Sequence, residues 1–175
     1  MIRIALLGST GSIGRSALEV IARHPDRFVV TSLVANRSVD LLAEQAQAFG
    51  VGRAVVCDAT VDLPSAAGGV RWSRGRDAMI EVAGDPDVDV VLNALVGAAG
   101  LEPTLTALHA GHRLALANKE SLVAGGPLVL EAARRGGGGI VPIDSEHSAI
   151  LQCLAGSPLE TVQRLVLTAS GGPFR

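Results

Sequence analysis

Polar residues that could bind a metal ion follow a short apolar run late in the chain. The run "IVPI" occupies residues 140–143 and is followed directly by Asp144, Ser145, Glu146 and His147. On extended backbone, carboxylates two residues apart face the same side, and their hard oxygens suit Mg2+ or Mn2+ better than zinc. Asp144 and Glu146 are therefore predicted metal ligands, with water, substrate and another protein ligand completing the shell, whereas His147 is predicted to point away and to be structural. Since Asp and Ser are also good N-caps, a helix start is the alternative, and the two roles are compatible.

A glycine-rich segment, "GSTGSIG", follows the first apolar run of the chain. Gly8, Gly11 and Gly14 are spaced GxxGxxG, one residue off the usual GxGxxG. Such glycines permit a tight turn and bring a pyrophosphate close to backbone amides at a helix N-terminus, which favours anions. Thr10 and Ser12 can add hydroxyl donors. A glycine-rich turn with capping hydroxyls is the alternative, but the position after the first strand of an alternating chain favours a dinucleotide.

The tip of the second predicted strand indicates which dinucleotide is bound. An NAD site usually places Asp or Glu there to hold the ribose 2'-hydroxyl. This chain has Asn36 and Arg37 instead, and its first acid is the later Asp40. The planar fork of Arg37 can pair with a 2'-phosphate, so NADP is preferred over NAD. The alternative for Arg37 is a solvated surface charge.

The segment "LANKES" contains Lys119, the chain's only lysine. A compact ammonium that can approach a hydroxyl or a carbonyl is what a reacting centre needs. The alternative is an ordinary charge near a helix start, which is an unfavourable end for a cation, and that placement argues for a ligand. Asn118 and Glu120 flank Lys119 and could hydrogen-bond a nicotinamide ribose or Lys119 itself.

The segments that must position these residues alternate between apolar runs of strand length and stretches with a helical apolar period. In the first helix the predicted apolar face is Ile13, Ala17, Val20 and Ile21, and Gly50 is the predicted C-cap of the second. Strands buried on both faces and separated by helices imply βαβ units, so the predicted fold class is α/β, a doubly wound parallel sheet. The predicted strands are "RIALLG", "FVVTSLVA", "RAVVC", "DVDVVLNALVG", "HRLALAN", "IVPID" and "VQRLVLTAS", with residues 70–72 as a further candidate and "SAILQCLAG" as the last helix.

Composition narrows the class of protein. The 175 residues are 48% hydrophobic and 18% charged with net charge −2, which is typical of a globular domain with, at most, part of a second. The net charge of −2 gives no electrostatic reason to expect nucleic-acid binding, which needs a basic face. Aromatic residues for stacking on bases are also scarce, at 2%. The longest uncharged apolar stretch, residues 90–101, is too short to span a bilayer, and no signal peptide is recognised. Cys57 and Cys153 lack CxxC spacing and are predicted to be buried thiols, so a cytoplasmic protein without membrane or nucleic-acid partners is expected.

Five motifs together resemble the deoxyxylulose-phosphate reductoisomerase family. They are "GSTGSIG", "LNALVGAAGL", "LALANKESLVAGG", "VPIDSEHSAI" and "LTASGGPFR", and the resemblance runs over essentially the whole chain. It covers only the family's amino-terminal part, so residues 1–144 are expected to form a Rossmann-like NADP-binding domain and residues 145–175 the truncated beginning of an α+β catalytic domain. The family's third carboxylate ligand, flexible lid and further phosphate-binding residues are not in this chain.

The resemblance also implies a role for individual residues. Relatives often have Gly and Lys where this chain has Asn36 and Arg37. Positive charge is kept, so NADPH remains the expected cofactor, with Mg2+ or Mn2+ as the metal. Lys119 and Glu146 are the expected catalytic residues. The implied set is Thr10, Gly11, Ser12, Ile13, Asn36, Arg37, Asn118 and Glu120 for NADPH, Asp144 and Glu146 for the metal, and Lys119, Ser145, Glu146 and Ser170 for the substrate.

The implied activity converts 1-deoxy-D-xylulose 5-phosphate to 2-C-methyl-D-erythritol 4-phosphate, an isoprenoid precursor. The metal would act as Lewis acid during the rearrangement and NADPH would then reduce the resulting aldehyde. The complete enzyme is expected to be a homodimer, whereas the 175 residues alone are expected to bind NADPH without turnover. Two alternatives are another NADP-dependent dehydrogenase, of semialdehyde or homoserine type, and a non-catalytic nucleotide-binding module.

Overall fold

The fold is organised around one parallel sheet. The computed structural model describes residues 1–64 and 69–167, so the predicted phosphate-binding Ser170 lies outside the described residues. The strands are β1 (Ile2–Leu7), β2 (Phe28–Ala35), β3 (Arg53–Val56), β4 (Arg71–Arg74), β5 (Val90–Asn93), β6 (Arg113–Leu116) and β7 (Ile140–Pro142). Their order is β4-β3-β2-β1-β5-β6-β7, and every neighbouring pair is parallel. The predicted doubly wound sheet is confirmed, and the candidate at residues 70–72 overlaps the edge strand β4 at residues 71 and 72.

Helices connect the strands and cover both faces of the sheet. They are α1 (Ser12–Ala22), α2 (Val39–Phe49), α3 (Arg76–Ala83), α4 (Leu101–His109), α5 (Lys119–Gly136) and α6 (Ser145–Leu154). Short 3-10 turns occupy Gly97–Gly100 and Leu159–Thr161. The element α5 consists of two helical segments that meet at a kink at Gly125, whose φ of −133° is not helical.

The core lies on both sides of β1. Leu6 and Leu7 are fully buried and point to opposite faces, Leu6 into the layer under α1 and α2 and Leu7 into the layer under α3, α4 and α5. A central strand of a doubly wound sheet meets helices on each face, which is why its sequence is continuously apolar rather than alternating. This burial fixes the sheet and therefore fixes where the strand ends lie.

Two expectations about local packing are wrong, the first only in part. In α1 the buried residues are Gly14, Leu18 and Ile21, while Ile13 is 40% and Val20 is 53% exposed. Two of the four predicted residues face the core, since Ile21 is buried and Ala17 packs against the core. Ile13 and Val20 do not, because Gly14 packs against the turn before the helix. Cys57 is only partly buried and Cys153 is exposed, so neither is a fully buried thiol. By contrast, Gly50 does cap α2, in the left-handed conformation with φ of 61°.

The end of the described chain differs from the predicted strand. Residues 162–167, the described part of "VQRLVLTAS", form no strand, and in the part of the chain that the structure describes α6 has no buried residue. A strand needs a neighbour for its backbone groups, and this segment has none among the described strands. Among the described residues, no helix has the length and apolar character that crossing a membrane would need.

Candidate functional site

The centre of the sheet contains a crevice at the carboxyl ends of its strands. The chain leaves β1 toward β2 on one side, whereas β5 lies on the other side of β1, so the strand order reverses between β1 and β5. Open α/β sheets bind ligands at such a reversal. The glycine-rich turn after β1 and residues 94–100 after β5 form its two walls. We call residues 94–100 the cleft loop.

The three glycines of the turn do not have the same function. Gly8 has φ of 86°, and a Cβ there would lie 2.7 Å from the carbonyl oxygen of Ala94. A Cβ on Gly14 would lie 2.2 Å from the carbonyl oxygen of Gly8. A Cβ on Gly11 would come no closer than 3.4 Å to that oxygen, which is ordinary contact. The polypeptide itself therefore requires glycine at positions 8 and 14 but not at position 11, where the open space suits a ligand.

A cavity of about 450 Å3 lies beside the turn. Thr10, Gly11 and Asn36, all predicted cofactor residues, line it together with Ala94 and Leu95 of the cleft loop. It is predominantly apolar, as is typical of a pocket for a base and ribose. Residues of the lining that the sequence did not predict are Cys57, Arg76 and Met79. Arg76 could have been found, because it begins α3 directly after β4 at the same edge of the sheet.

Arg37 lies at the surface beside this cavity rather than in its lining. Its Nε atom is 3.1 Å from the Asp58 carboxylate, and the Arg37 side chain is 69% exposed. Hydrogen bonds from Thr60 lower the pKa of Asp58, and the charge of Arg37 lowers it further. Asp58 therefore stays ionised and holds the guanidinium near the tip of β2, with most of the guanidinium free to meet an anion.

A second cavity, of about 510 Å3, is lined by part of the set predicted for the metal and the substrate, whereas Glu146 of that set lines the neighbouring cavity beside α6. Gly11, Ser12 and Ile13 form one side of this cavity. Lys119 and Asp144 line the same cavity, as do Glu120 and Ser145. Because Gly11 lines both cavities, the two spaces meet at the glycine-rich turn. The structure thus places the predicted dinucleotide and metal residues along one rim of the sheet.

Lys119 bridges the two acidic residues. Its Nζ atom is 2.6 Å from Glu146 Oε2 and 3.8 Å from Asp144 Oδ1. The hydrogen bond from Lys119 is the largest of several causes that lower the pKa of Glu146 to about 2, and the backbone amide of Glu146 and the Ser145 hydroxyl add to it. The same pair raises the pKa of Lys119. Lys119 and Glu146 are therefore both charged at neutral pH, and the side chains of Glu146 and Asp144 converge on one cation.

The reason given from sequence for this convergence is wrong for one of the two residues. Asp144 has extended backbone, but Glu146 is helical, because α6 begins at Ser145. The alternative of a helix start is confirmed, since Asp144 is the N-cap of α6 and its carboxylate accepts a hydrogen bond from the His147 amide at 3.1 Å. His147 does not point away, since its Nδ1 lies 2.9 Å from both Asp144 oxygens. A cap and a first-turn residue face the start of the neighbouring helix α5, which is where Lys119 lies.

The donor set fits a hard divalent ion in part. Carboxylates that converge on an ammonium can also converge on a metal ion, and their oxygens suit Mg2+ or Mn2+. Among residues 1–64 and 69–167, however, no group of three or more His, Cys, Asp or Glu side chains is arranged to hold a metal ion. The described chain therefore offers two carboxylate ligands, and further ligands have to come from elsewhere.

Asn118 and Glu120 contact the cleft loop. The Asn118 side chain is buried, and its amide donates to the carbonyl oxygens of Leu95 and Gly97, each at 2.9 Å. Its oxygen caps α5 by accepting from the Ser121 amide. Glu120 accepts from the Gly97 amide at 3.2 Å. The role of these two residues at the nicotinamide stays a prediction, and both are already engaged with protein groups.

A parallel doubly wound sheet with a glycine-rich turn at its strand reversal defines the Rossmann-like, dinucleotide-binding class of α/β proteins. Within that class the family is specific. The model described as 1-deoxy-D-xylulose 5-phosphate reductoisomerase matches residues 4–126, and the model of that enzyme's C-terminal domain matches residues 140–175. The chain belongs to the 1-deoxy-D-xylulose 5-phosphate reductoisomerase family.

Individual relatives agree with this assignment. The chain is 58% identical to the 1-deoxy-D-xylulose 5-phosphate reductoisomerase of Rhodococcus jostii over 174 residues, which are 99% of this chain and 43% of that protein. The Zymomonas mobilis reductoisomerase, solved in complex with NADPH, matches 87% of this chain and 41% of its own at 44% identity, with a TM-score of 0.83. A reductoisomerase solved with NADPH, fosmidomycin and magnesium matches 89% of this chain and 40% of its own at 41% identity, with a TM-score of 0.82. The chain thus spans less than half the length of these relatives.

Proposed function

We propose that this chain supplies the NADPH-binding part and two metal ligands of an enzyme that converts 1-deoxy-D-xylulose 5-phosphate to 2-C-methyl-D-erythritol 4-phosphate. The observation that carries the proposal is the second cavity, which Gly11, Ser12, Lys119 and Asp144 line together. Relatives at 44% and 41% identity that were solved with NADPH and with NADPH and magnesium support it. The full activity belongs to the longer protein, because two carboxylates leave a divalent ion under-coordinated.

We further propose the domain division and the cellular context. Residues 1–144 would form the NADPH-binding domain and residues 145–175 the beginning of the catalytic domain, a boundary supported by the separate family models that match residues 4–126 and 140–175. The complete enzyme would be a cytoplasmic homodimer that acts on a phosphosugar, with Ser170 contacting the substrate phosphate.

Each residue of the site would have a distinct role. When bound, a divalent ion would supply Lewis-acid chemistry and NADPH would supply a hydride. Asp144 and Glu146 would hold the ion. Lys119 and Ser145 would orient the substrate hydroxyls, and backbone amides of the turn would bind the cofactor phosphates through Thr10, Gly11, Ser12 and Ile13.

NADPH oxidation in a chimera tests this proposal. The chimera replaces the matching residues of the Rhodococcus jostii relative with this chain, and it is assayed with 1-deoxy-D-xylulose 5-phosphate and Mg2+. We expect turnover by the chimera, and NADPH binding without turnover by the 175 residues alone. Lys119→Ala in the chimera should lower turnover by about 100-fold, as loss of a group that acts at the reacting centre does. A folded chimera that binds NADPH but leaves the substrate unchanged would refute the proposed activity.

Cofactor choice is tested by Arg37→Ala. One charge-assisted hydrogen bond is worth about 1.5–3 kcal/mol, and because Arg37 is exposed we expect a loss of NADPH affinity of about ten-fold. The affinity for NADH, which lacks the 2'-phosphate, should not change. Isothermal titration with each cofactor measures both values, and Arg134→Ala, an exposed arginine near the carboxyl end of α5, is the matched control. Equal losses for NADPH and NADH would remove the assignment of Arg37 to the phosphate.

A further inference from the structure

We propose that Asn93 is a positioning residue for the dinucleotide, which it affects through the cleft loop rather than by touching the cofactor. The inference rests on the proposed NADPH binding. Asn93 is the last residue of β5 and is fully buried, so it lines neither cavity. The loop that follows it does line both cavities, through Ala94, Leu95 and Val96.

The amide of Asn93 connects three parts of the fold. Its Nδ2 atom donates to the Gly100 carbonyl oxygen and to the Thr104 hydroxyl, each at 2.9 Å. Its Oδ1 atom accepts from the Leu95 amide at 3.1 Å. One buried side chain therefore joins the first turn of the cleft loop to its last residue and to α4. Only a group with two donors and an acceptor can make these contacts, which an aliphatic residue at a strand end cannot.

Asn118, the N-cap of α5, holds the same loop from the segment that follows β6. It donates to Leu95 and Gly97, while its side chain packs against Gly100, where an added Cβ would lie 2.5 Å from Asn118 Cγ. Two buried asparagines, one at the end of β5 and one at the N-cap of α5, thus fix the loop at both of its ends and at its centre. Buried amides with all their partners satisfied allow one arrangement of the backbone and penalise others.

The loop needs such support because its tip projects into the cleft. Val96 is 85% exposed, and Gly97 has φ of 72°, a left-handed conformation that gives the chain a sharp turn there. A loop that is ordered before the cofactor arrives does not lose conformational entropy on binding, so binding is tighter. Asn93 would thereby raise NADPH affinity without being part of the binding surface.

Four variants of the 175-residue chain test the inference. Asn93→Ala removes all three contacts, and we expect NADPH to bind about ten-fold more weakly, since loss of preorganisation appears directly in the affinity. Thr104→Val removes one acceptor from a residue that lines neither cavity, and a smaller loss of about three-fold is expected. Thr104→Ser keeps the hydroxyl and should restore affinity. Val129→Ala, which shortens a buried side chain of α5 that lines neither cavity, lowers stability but should leave NADPH affinity unchanged.

NADPH fluorescence titrations measure affinity, and thermal unfolding followed by circular dichroism measures stability in the same samples. Positioning by Asn93 is supported if NADPH affinity falls most in Asn93→Ala and less in Thr104→Val. Thr104→Ser and Val129→Ala should both keep the parent's affinity. If the folded Asn93→Ala chain binds NADPH as the parent does, the inference is wrong. If Asn93→Ala does not fold, the Thr104 pair decides, and equal affinities of Thr104→Val and Thr104→Ser refute it. A parent chain that does not bind NADPH contradicts the proposed function instead.

Discussion

Replacing Gly14 by Ala is expected to destabilise the chain by about 3 kcal/mol, whereas Gly11→Ala should fold normally and bind NADPH at least about ten-fold more weakly. The two glycines are three residues apart in the same motif. Gly11 is the N-cap of α1, and Gly14 lies in its first turn. Their neighbours differ. The Cβ of Ala at position 14 would lie 2.2 Å from the Gly8 carbonyl oxygen and 2.7 Å from Ser9 Cα, which are backbone atoms that cannot rotate away.

The estimate for Gly14 includes an opposing term. Alanine favours a helix by about 1 kcal/mol over glycine, so the measured loss is the strain minus this gain. The strain exceeds that gain. Relieving the contact between α1 and the turn at Gly8 and Ser9 would move α1 away from the sheet and open the layer around Leu18 and Ile21. A net loss of about 3 kcal/mol lowers the melting temperature of a domain of this size by roughly 6–12 °C.

Gly11 provides the matched comparison. Its φ of −74° and ψ of 172° are accessible to alanine, and the added methyl group would meet only the Gly8 oxygen, at 3.4 Å. A change in stability within about 1 kcal/mol is expected, because Ala is a poorer N-cap than Gly but restricts the unfolded chain more. The methyl group would project into the junction of the two cavities, where the pyrophosphate must approach the amides, and we expect an affinity loss of at least about ten-fold.

Urea unfolding followed by the fluorescence of Trp72, the only tryptophan in the chain, measures both stabilities. Calorimetric titration measures NADPH binding. If Gly11→Ala binds NADPH with the parent's affinity, the turn does not hold the pyrophosphate. If Gly14→Ala is as stable as the parent, the close contact between α1 and the turn is not a property of the folded chain.

Some of this architecture could be predicted from the sequence because it depends on local patterns. Alternating apolar runs and helical periods predict the parallel sheet, and the glycine-rich turn and the polar segments 118–120 and 144–146 predict the rim where ligands bind. The order of helices and strands along the chain does not predict which side chains of one element pack against another. Apolar periodicity cannot show that α1 turns Gly14 rather than Ile13 toward the core, because the orientation of α1 depends on how closely the helix approaches the glycine-rich turn.

Contacts between distant segments account for the remaining differences. The pairing of Lys119 with Glu146 brings two helix starts together across 27 residues, and no spacing rule predicts it. Asn93 resembled any polar residue at a strand end until its three partners were visible. The predicted strand after α6 is absent from residues 162–167 for a related reason, because strand formation depends on a partner that apolar sequence alone does not supply.

Lys119 and Glu146 form an ion pair, and removing the charge of each is expected to change Mn2+ affinity in opposite directions. In the structure the ammonium of Lys119 lies between the carboxylates proposed as metal ligands, 2.6 Å from Glu146 and 3.8 Å from Asp144. A divalent ion that binds both carboxylates must displace this ammonium or share their charge with it. Lys119 is therefore expected to compete with the metal in the isolated chain, although both serve the proposed reaction.

Removing the ammonium should strengthen metal binding. Lys119→Met keeps a long side chain without charge, and we expect Mn2+ to bind about ten-fold more tightly, since a unit charge within about 4 Å of the ion changes affinity by at least this much. Glu146→Gln should abolish measurable Mn2+ binding, because one of two carboxylates is lost. Asp144→Asn should do the same while keeping the start of α6, as Asn is as good an N-cap as Asp.

Electron paramagnetic resonance of free Mn2+ measures these affinities without requiring turnover. Lys119→Arg keeps the charge and is the matched control, for which we expect an affinity close to that of the parent chain. Because Lys119 and Glu146 are partly exposed, added salt should reduce the gain in Lys119→Met relative to the parent. Weaker Mn2+ binding in Lys119→Met would mean that the ammonium organises the two carboxylates for the metal instead of competing with it, and unchanged binding in Glu146→Gln would remove Glu146 from the metal site.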